Sequence, residues 1–272
     1  MNRTIDHVAF GGIELYELRT AANEVGLTPT YGGEHSTGTT HMAVVPFPDG
    51  SYLELIAPTL GTDAENAGFW PTHLAAGAGP TGWCLEVSDV AASAKAAIDS
   101  GVPVDGPHEA SRERPDGRLV EWDMCFEGDD LRLPFTIRDR TPRPYRVPRT
   151  SQNTPIRGLQ TVIVATRDRE ATADLFARRH RYPSPVDING PFSNFAVLPG
   201  TPLALCEPGD DELGERIETV GEGPCAFLVG VTDLDRARQS LSLGPEIRFS
   251  DRRMAWFDHE MFDRRLGVVE LH

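Results

Sequence analysis

Ile5-Asp6-His7-Val8-Ala9-Phe10 and, further along, Tyr52-Leu53-Glu54-Leu55-Ile56-Ala57-Pro58 decide the reading of this chain. Each is an apolar run of strand length that carries one residue able to ligate a metal, His7 or Glu54. A histidine or glutamate inside a buried strand is costly unless something pairs with it. Two such strands at opposite ends of one supersecondary unit point to a shared metal ion.

Between these runs the sequence predicts a helix near 14–25, with Leu15, Leu18, Ala22 and Val25 on one face and Gly26 as a left-handed stop. Strands follow at 28–31 and 41–45, and the Pro48-Asp49-Gly50 turn returns the chain into 51–57. The result is a β-α-β-β-β unit, and the pattern recurs three times. A second unit starts at 83–87, with Asp89 opening a helix that Gly101 ends and later strands at 119–122 and 133–137. A third starts at 159–164 with a helix from Asp168. A fourth starts at 226–229, carries a capping-box-like Thr232-Asp233-Leu234-Asp235, and ends in 266–271. Repetition at this scale indicates duplicated units that pair to bury a common sheet face. The expected class is therefore α+β, four βαβββ units in two paired-unit domains with curved mixed sheets. Residues 141–155 hold four prolines and no hydrophobic periodicity, and read as an extended linker between domains at 1–140 and 156–272.

Composition narrows the function classes. A net charge of -15 over 272 residues repels nucleic-acid phosphates and anionic lipid surfaces. No run reaches the roughly 20 apolar residues needed to span a bilayer. The four cysteines, Cys84, Cys125, Cys206 and Cys225, form no C-x-x-C and suit a reducing, cytoplasmic setting. The partner expected is a small molecule, with no nucleic acid and no membrane. A homodimer through the second half is compatible with this.

The order of elements, with I-D-H-V-A-F at 5–10, G-G-E-H-S-T-G-T-T-H at 32–41, G-S-Y-L-E-L-I-A-P at 50–58, G-W at 82–83, R-P-D-G at 114–117 and L-P-F-T-I at 133–137, resembles the vicinal oxygen chelate superfamily. This is the glyoxalase and bleomycin-resistance fold, and within it the strings resemble a glyoxalase-like domain family. The resemblance implies one divalent metal held by the first and last strands of paired units, with open positions where two neighbouring substrate oxygens chelate. It places His7 and Glu54 in those roles. The second unit departs from the pattern, since Trp83 and Pro134-Phe135 occupy its ligand positions.

A third ligand must then come from His35 or His41. If the hairpin turns over 48–51 and pairs Phe47 with Tyr52, Val45 lies opposite Glu54, and alternation puts His41 on the Glu54 face. A slip of one residue reverses this. The expected metal set is thus His7, His41 and Glu54, compatible with Fe, Zn, Mn or Ni. His35 is left as a catalytic acid/base or substrate donor. Arg112 and Arg114 are candidate clamps for a substrate carboxylate or phosphate, and Trp83, Trp122 and Phe135 candidate walls of the substrate cavity. In the second half Thr161 or Gln160, and Ala226 or Cys225, stand where histidines would be needed to accompany Glu270, so that half reads as a degenerate copy. Two functions follow: a metal-dependent lyase, isomerase or dioxygenase, and alternatively a metal-free small-molecule binder of the drug-sequestering kind.

Overall fold

The computed structural model describes residues 4–150, 155–209 and 212–271. Eight strands of the first half close into a barrel: β1 (Ile5–Gly11), β2 (Thr30–His35), β3 (Thr40–Pro46), β4 (Tyr52–Pro58), β5 (Gly79–Glu86), β6 (Val104–Glu113), β7 (Leu119–Glu127) and β8 (Phe135–Asp139), in the order β1-β4-β3-β2-β6-β7-β8-β5. The second half builds an open sheet from β9 (Ile156–Ala165), β10 (Val186–Asp187), β11 (Ala196–Val197), β12 (Leu203–Cys206), β13 (Gly223–Val231), β14 (Leu243–Phe249), β15 (Arg252–Phe257) and β16 (Leu266–Glu270). In every unit the first strand lies parallel to the last: β1 to β4, β5 to β8, β9 to β12 and β13 to β16. The four-unit α+β architecture expected from the sequence is the one observed.

Local chemistry repeats with the topology. Helices α3 (Val90–Asp99), α5 (Arg169–His180) and α7 (Leu234–Ala237) each begin on an aspartate, Asp89, Asp168 or Asp233, whose carboxylate accepts the N–H three residues on. The first helix, α1 (Leu15–Glu24), starts after Glu14 without a side-chain cap and is held by Leu15, Leu18, Ala21 and Ala22 in the core. The largest apolar cluster is shared by both halves: Phe10 meets Phe262 edge-on, with ring centroids 5.2 Å apart, and Trp83 lies against Phe176 at 6.1 Å.

Three features depart from the expectations. Strand β6 has only Arg112 buried among its ten residues, so it lacks the apolar alternation that marks the others. Residues 59–78, between β4 and β5, carry the short helix α2 (Pro71–Ala75) and cover one end of the barrel. The segment read as a linker contains the helical turn α4 (Arg143–Arg146), and Arg146 is buried; residues 151–154 of that segment lie outside the described residues. All four cysteines are buried and none forms a disulfide, and among the described residues no helix is long and apolar enough to cross a membrane.

The halves are also pinned by charge. Arg179 of α5 grips Glu127 of β7 with two bonds of 2.6 Å, and both side chains are excluded from solvent. Removing one partner strands a buried charge, whereas removing both does not. Arg179→Met is expected to lower the unfolding free energy by about 3–5 kcal/mol in urea titrations, and adding Glu127→Met should recover most of that loss.

Candidate metal centre

The barrel interior is built around the start of β1. Between Ile5 and His7 the ladder to β5 gains one residue, a bulge that places consecutive polar side chains, Asp6 and His7, inside the structure. Asp6 is gripped by Arg146, which donates to both carboxylate oxygens at 2.7 and 2.9 Å, and by Arg143. Arg146 is itself held by Asp139, and Arg143 also donates to the Gly50 carbonyl at 2.7 Å. Burial alone would raise the Asp6 carboxyl, but the Arg146 guanidinium, through charge and hydrogen bonding, holds it well below the usual carboxylate range.

An ionised Asp6 fixes the tautomer of its neighbour. The His7 Nδ1 lies 2.6 Å from Asp6 Oδ1, and a carboxylate only accepts, so Nδ1 carries the hydrogen. The other ring nitrogen, Nε2, faces Glu54 Oε2, 3.5 Å away. Tyr52 stacks on the imidazole at 4.6 Å between centroids and Phe135 meets its edge at 5.3 Å, which locks its orientation. Across the cavity His35 Nε2 faces the other Glu54 oxygen, Oε1, also at 3.5 Å, while its Nδ1 bonds the Thr40 hydroxyl at 2.9 Å. Burial lowers the pKa of His35 against the pull of Glu54, which favours the neutral, ligating ring.

These contacts are long for hydrogen bonds. They match the spacing of donors that share an ion, since two ligands about 2.1 Å from a tetrahedral metal stand about 3.4 Å apart. Outer partners on the Nδ1 atoms are the usual way of aiming metal-binding histidines. His7 and His35 thus each set an Nε2 against one oxygen of Glu54, a donor set of the kind that holds a divalent cation. Among the described residues the group whose ligand atoms all lie within 4.8 Å of one another is Asp6, His7 and Cys84. That second grouping is an ion-pair cluster: Asp6 is spent on two arginines, and burial pushes the Cys84 thiol well above its ordinary value.

Of the residues singled out from sequence, His7, His35, Glu54, Arg112, Trp122 and Phe135 line one narrow cavity of about 30 Å³. His41, Arg114 and Trp83 do not. Pro46, not Phe47, pairs with Tyr52, and Val44 lies opposite Glu54, so the register differs by one residue from that expected and His41 falls on the outer face beside Tyr31. The cause is a longer loop, in which Phe47 N–H donates to Ser51 O at 2.8 Å and Gly50 N–H to Phe47 O at 3.0 Å. Arg114 is engaged outside the cavity by the Tyr145 carbonyl and Asp116. Trp83 alternates away from the interior into the core between the halves, and Gly82 takes the inward position, where a Cβ would come within 2.7 Å of the Trp70 indole. In the second half, Glu270 accepts the Leu234 N–H at the start of α7.

Sequence reasoning passed over Asp6, Tyr52, Arg146, Phe69 and Trp70, all of which build or support this cavity. The available signal was Asp6 itself, a second carboxylate in an apolar strand that needed a cation, with an arginine-rich segment at 140–149 to supply one.

A family model for the glyoxalase-like domain matches residues 5–179. No curated protein matches the chain in sequence. Among solved structures, a hypothetical protein from Staphylococcus aureus superposes with a TM-score of 0.64 at 14% identity, over 98% of each chain. A triple mutant of 4-hydroxymandelate synthase from Streptomyces coelicolor gives 0.64 at 14%, over 99% of this chain and 92% of the other. A Mn(II)-bound glyoxalase from Novosphingobium aromaticivorans gives 0.60 at 12%, over 99% and 83%. At these identities the likeness is one of fold.

The Asp6 cluster makes a testable demand on stability. Asp6→Asn leaves two arginines short of a counter-charge and is expected to cost about 3 kcal/mol near neutral pH. Because the folded-state pKa is depressed, the aspartate contribution is complete above the unfolded value of about 3.9 and is lost as pH falls through the folded value. In urea titrations the advantage of the native protein over the variant should thus be flat from about pH 8 to about pH 5 and shrink in stronger acid. An advantage that grew in acid would show Asp6 protonated in the fold.

Proposed function

The chain belongs to the glyoxalase-like domain family, and we propose from its barrel interior that it is a metal-dependent enzyme chelating two adjacent oxygens of a small substrate. The observation that carries this reading is the pair of imidazole Nε2 atoms turned on the two oxygens of Glu54, with each Nδ1 anchored behind. Each Nε2 faces a carboxylate oxygen at 3.5 Å, and a cation set between them would be shared by both. The fold shared with a Mn(II)-bound glyoxalase and with 4-hydroxymandelate synthase supports the same reading.

Two histidines and one carboxylate suit Fe, Zn, Mn or Ni. A divalent ion so held supplies Lewis-acid charge to neighbouring oxygens or, as iron, a redox centre. The rest of the chemistry belongs to the chain. Tyr52 Oη accepts a hydrogen bond of 2.9 Å from Arg146, so the phenol hydrogen is left to donate, and the hydroxyl belongs to a residue of the cavity wall. Burial raises the Tyr52 pKa, which keeps that hydrogen in place through the physiological range. Tyr52 thereby takes the donor role that sequence assigned to His35, whose Nε2 is used in the ligand set. Phe69, Trp70, Trp122 and Phe135 exclude water from the reacting oxygens, which strengthens every charge interaction inside.

Elemental analysis separates this assignment from the one expected from sequence. The purified protein should hold about one divalent ion per chain; His7→Ala and His35→Ala should each lose it, while His41→Ala should keep it. Native protein free of metal, with the same cavity binding small aromatic molecules, would instead support the metal-free binder.

A further inference from the structure

Arg112 is buried in the wall of this cavity without a counter-ion. Its side chain is 3% exposed, and among the described residues no carboxylate lies within ion-pair distance of it. Every other buried cation of the barrel is answered: Arg146 by Asp6 and Asp139, Arg143 by the same two carboxylates. Glu54, set between the two imidazoles at 3.5 Å from each, acts on Arg112 only across the cavity. Arg112 Nη1 donates to the Gly32 carbonyl and Nη2 to the Arg146 carbonyl at 2.9 Å. Two carbonyls position the guanidinium, but they leave its charge uncompensated, and an uncompensated buried charge is expensive. Arg112 is the one fully buried residue of β6, and it is a cation.

Its place in the ladder says what it faces. His35 and Arg112 are direct partners across the β2–β6 seam, so the guanidinium stands beside the His35 end of the proposed ligand set. Met42, Ile56, Phe69, Trp122 and Phe135 supply apolar and aromatic walls.

Resting on the metal-centre reading for the reacting end, we infer that the substrate is a small flat carboxylate anion, an aryl or comparably planar acid, whose carboxylate neutralises Arg112 while its apolar body lies against Phe69, Trp122 and Phe135. A single guanidinium with two of its donors already used suits a monoanionic carboxylate better than a phosphate dianion. Binding removes the unpaired charge, so the arginine discriminates between an acid and its neutral isostere.

The test uses benzoate and benzyl alcohol as probes on the protein as purified, read by the fluorescence of Trp70 and Trp122 and by calorimetry. Benzoate should bind saturably, at least about tenfold tighter than benzyl alcohol, and Arg112→Gln should remove that preference while Arg112→Lys restores part of it. Equal affinity for the two probes in the native protein, or no saturable benzoate binding, overturns the inference, and this comparison decides it even if Arg112→Gln fails to fold. Benzoate binding that survives Arg112→Gln but vanishes in His7→Ala also overturns it, because the anion would then sit on the metal. Metal content of the same samples keeps the two readings apart. Arg112-dependent selectivity in metal-free protein sustains the anion site and sinks the metal centre, and metal-loaded protein without selectivity does the reverse.

Discussion

The structure depends on one buried carboxylate. Asp6 enters the barrel on a bulge and is held from the far end of the same domain by Arg143 and Arg146, more than 130 residues later in the chain. That clamp ties the first strand to the segment that follows the last one. It also orients the chemistry next door: an Asp6 that stays ionised holds a hydrogen of His7 on Nδ1 and turns Nε2 toward Glu54. Tyr52, stacked on His7 and bonded to Arg146, belongs to the same assembly. A salt-bridge cluster of this kind contributes less to net stability than its geometry suggests, because desolvating the charges offsets their attraction. Its value lies in orientation.

Much of the architecture was legible because the sequence repeats its punctuation. Asp89, Asp168 and Asp233 open helices at nearly constant intervals after apolar runs, and the structure turns each into a cap. His7 and Glu54 were legible for the same reason, as polar exceptions in runs that otherwise have to be buried. The third member of the set was not. Whether His35 or His41 shares the Glu54 side depends on how many residues the loop after Pro46 contains, and two prolines and a glycine near the turn fit more than one count. A single step there exchanges the two faces of β3. Strand β6 was invisible because its one fully buried residue is an arginine, and the cover formed by 59–78 because its aromatics, Phe69 and Trp70, sit in a stretch with no periodicity.

The second half uses the same units differently. Its sheet stays open, Thr161 fills a first-strand position, and Glu270 is spent on the start of α7. It supplies instead about half of a common core, through Phe176, Phe227 and Phe262, and the arginine that neutralises Glu127. The second half backs the barrel, whose own interior is thereby left to polar groups that a small isolated domain could hardly tolerate.

The closure of the barrel has a further consequence. Its β2–β6 joint consists of two residue pairs, His35 with Arg112 and Glu34 with Glu113, the second of which sets two exposed like charges directly opposite each other. Most neighbouring strands are stitched by longer ladders. The two side chains that face the cavity from opposite staves thus sit at the thinnest joint of the cylinder, where amide hydrogens should exchange through local opening well before the whole barrel unfolds. An ion bound by His35, or an anion bound by Arg112, then acts as a rivet: occupancy of the cavity and closure of the cylinder become a single equilibrium.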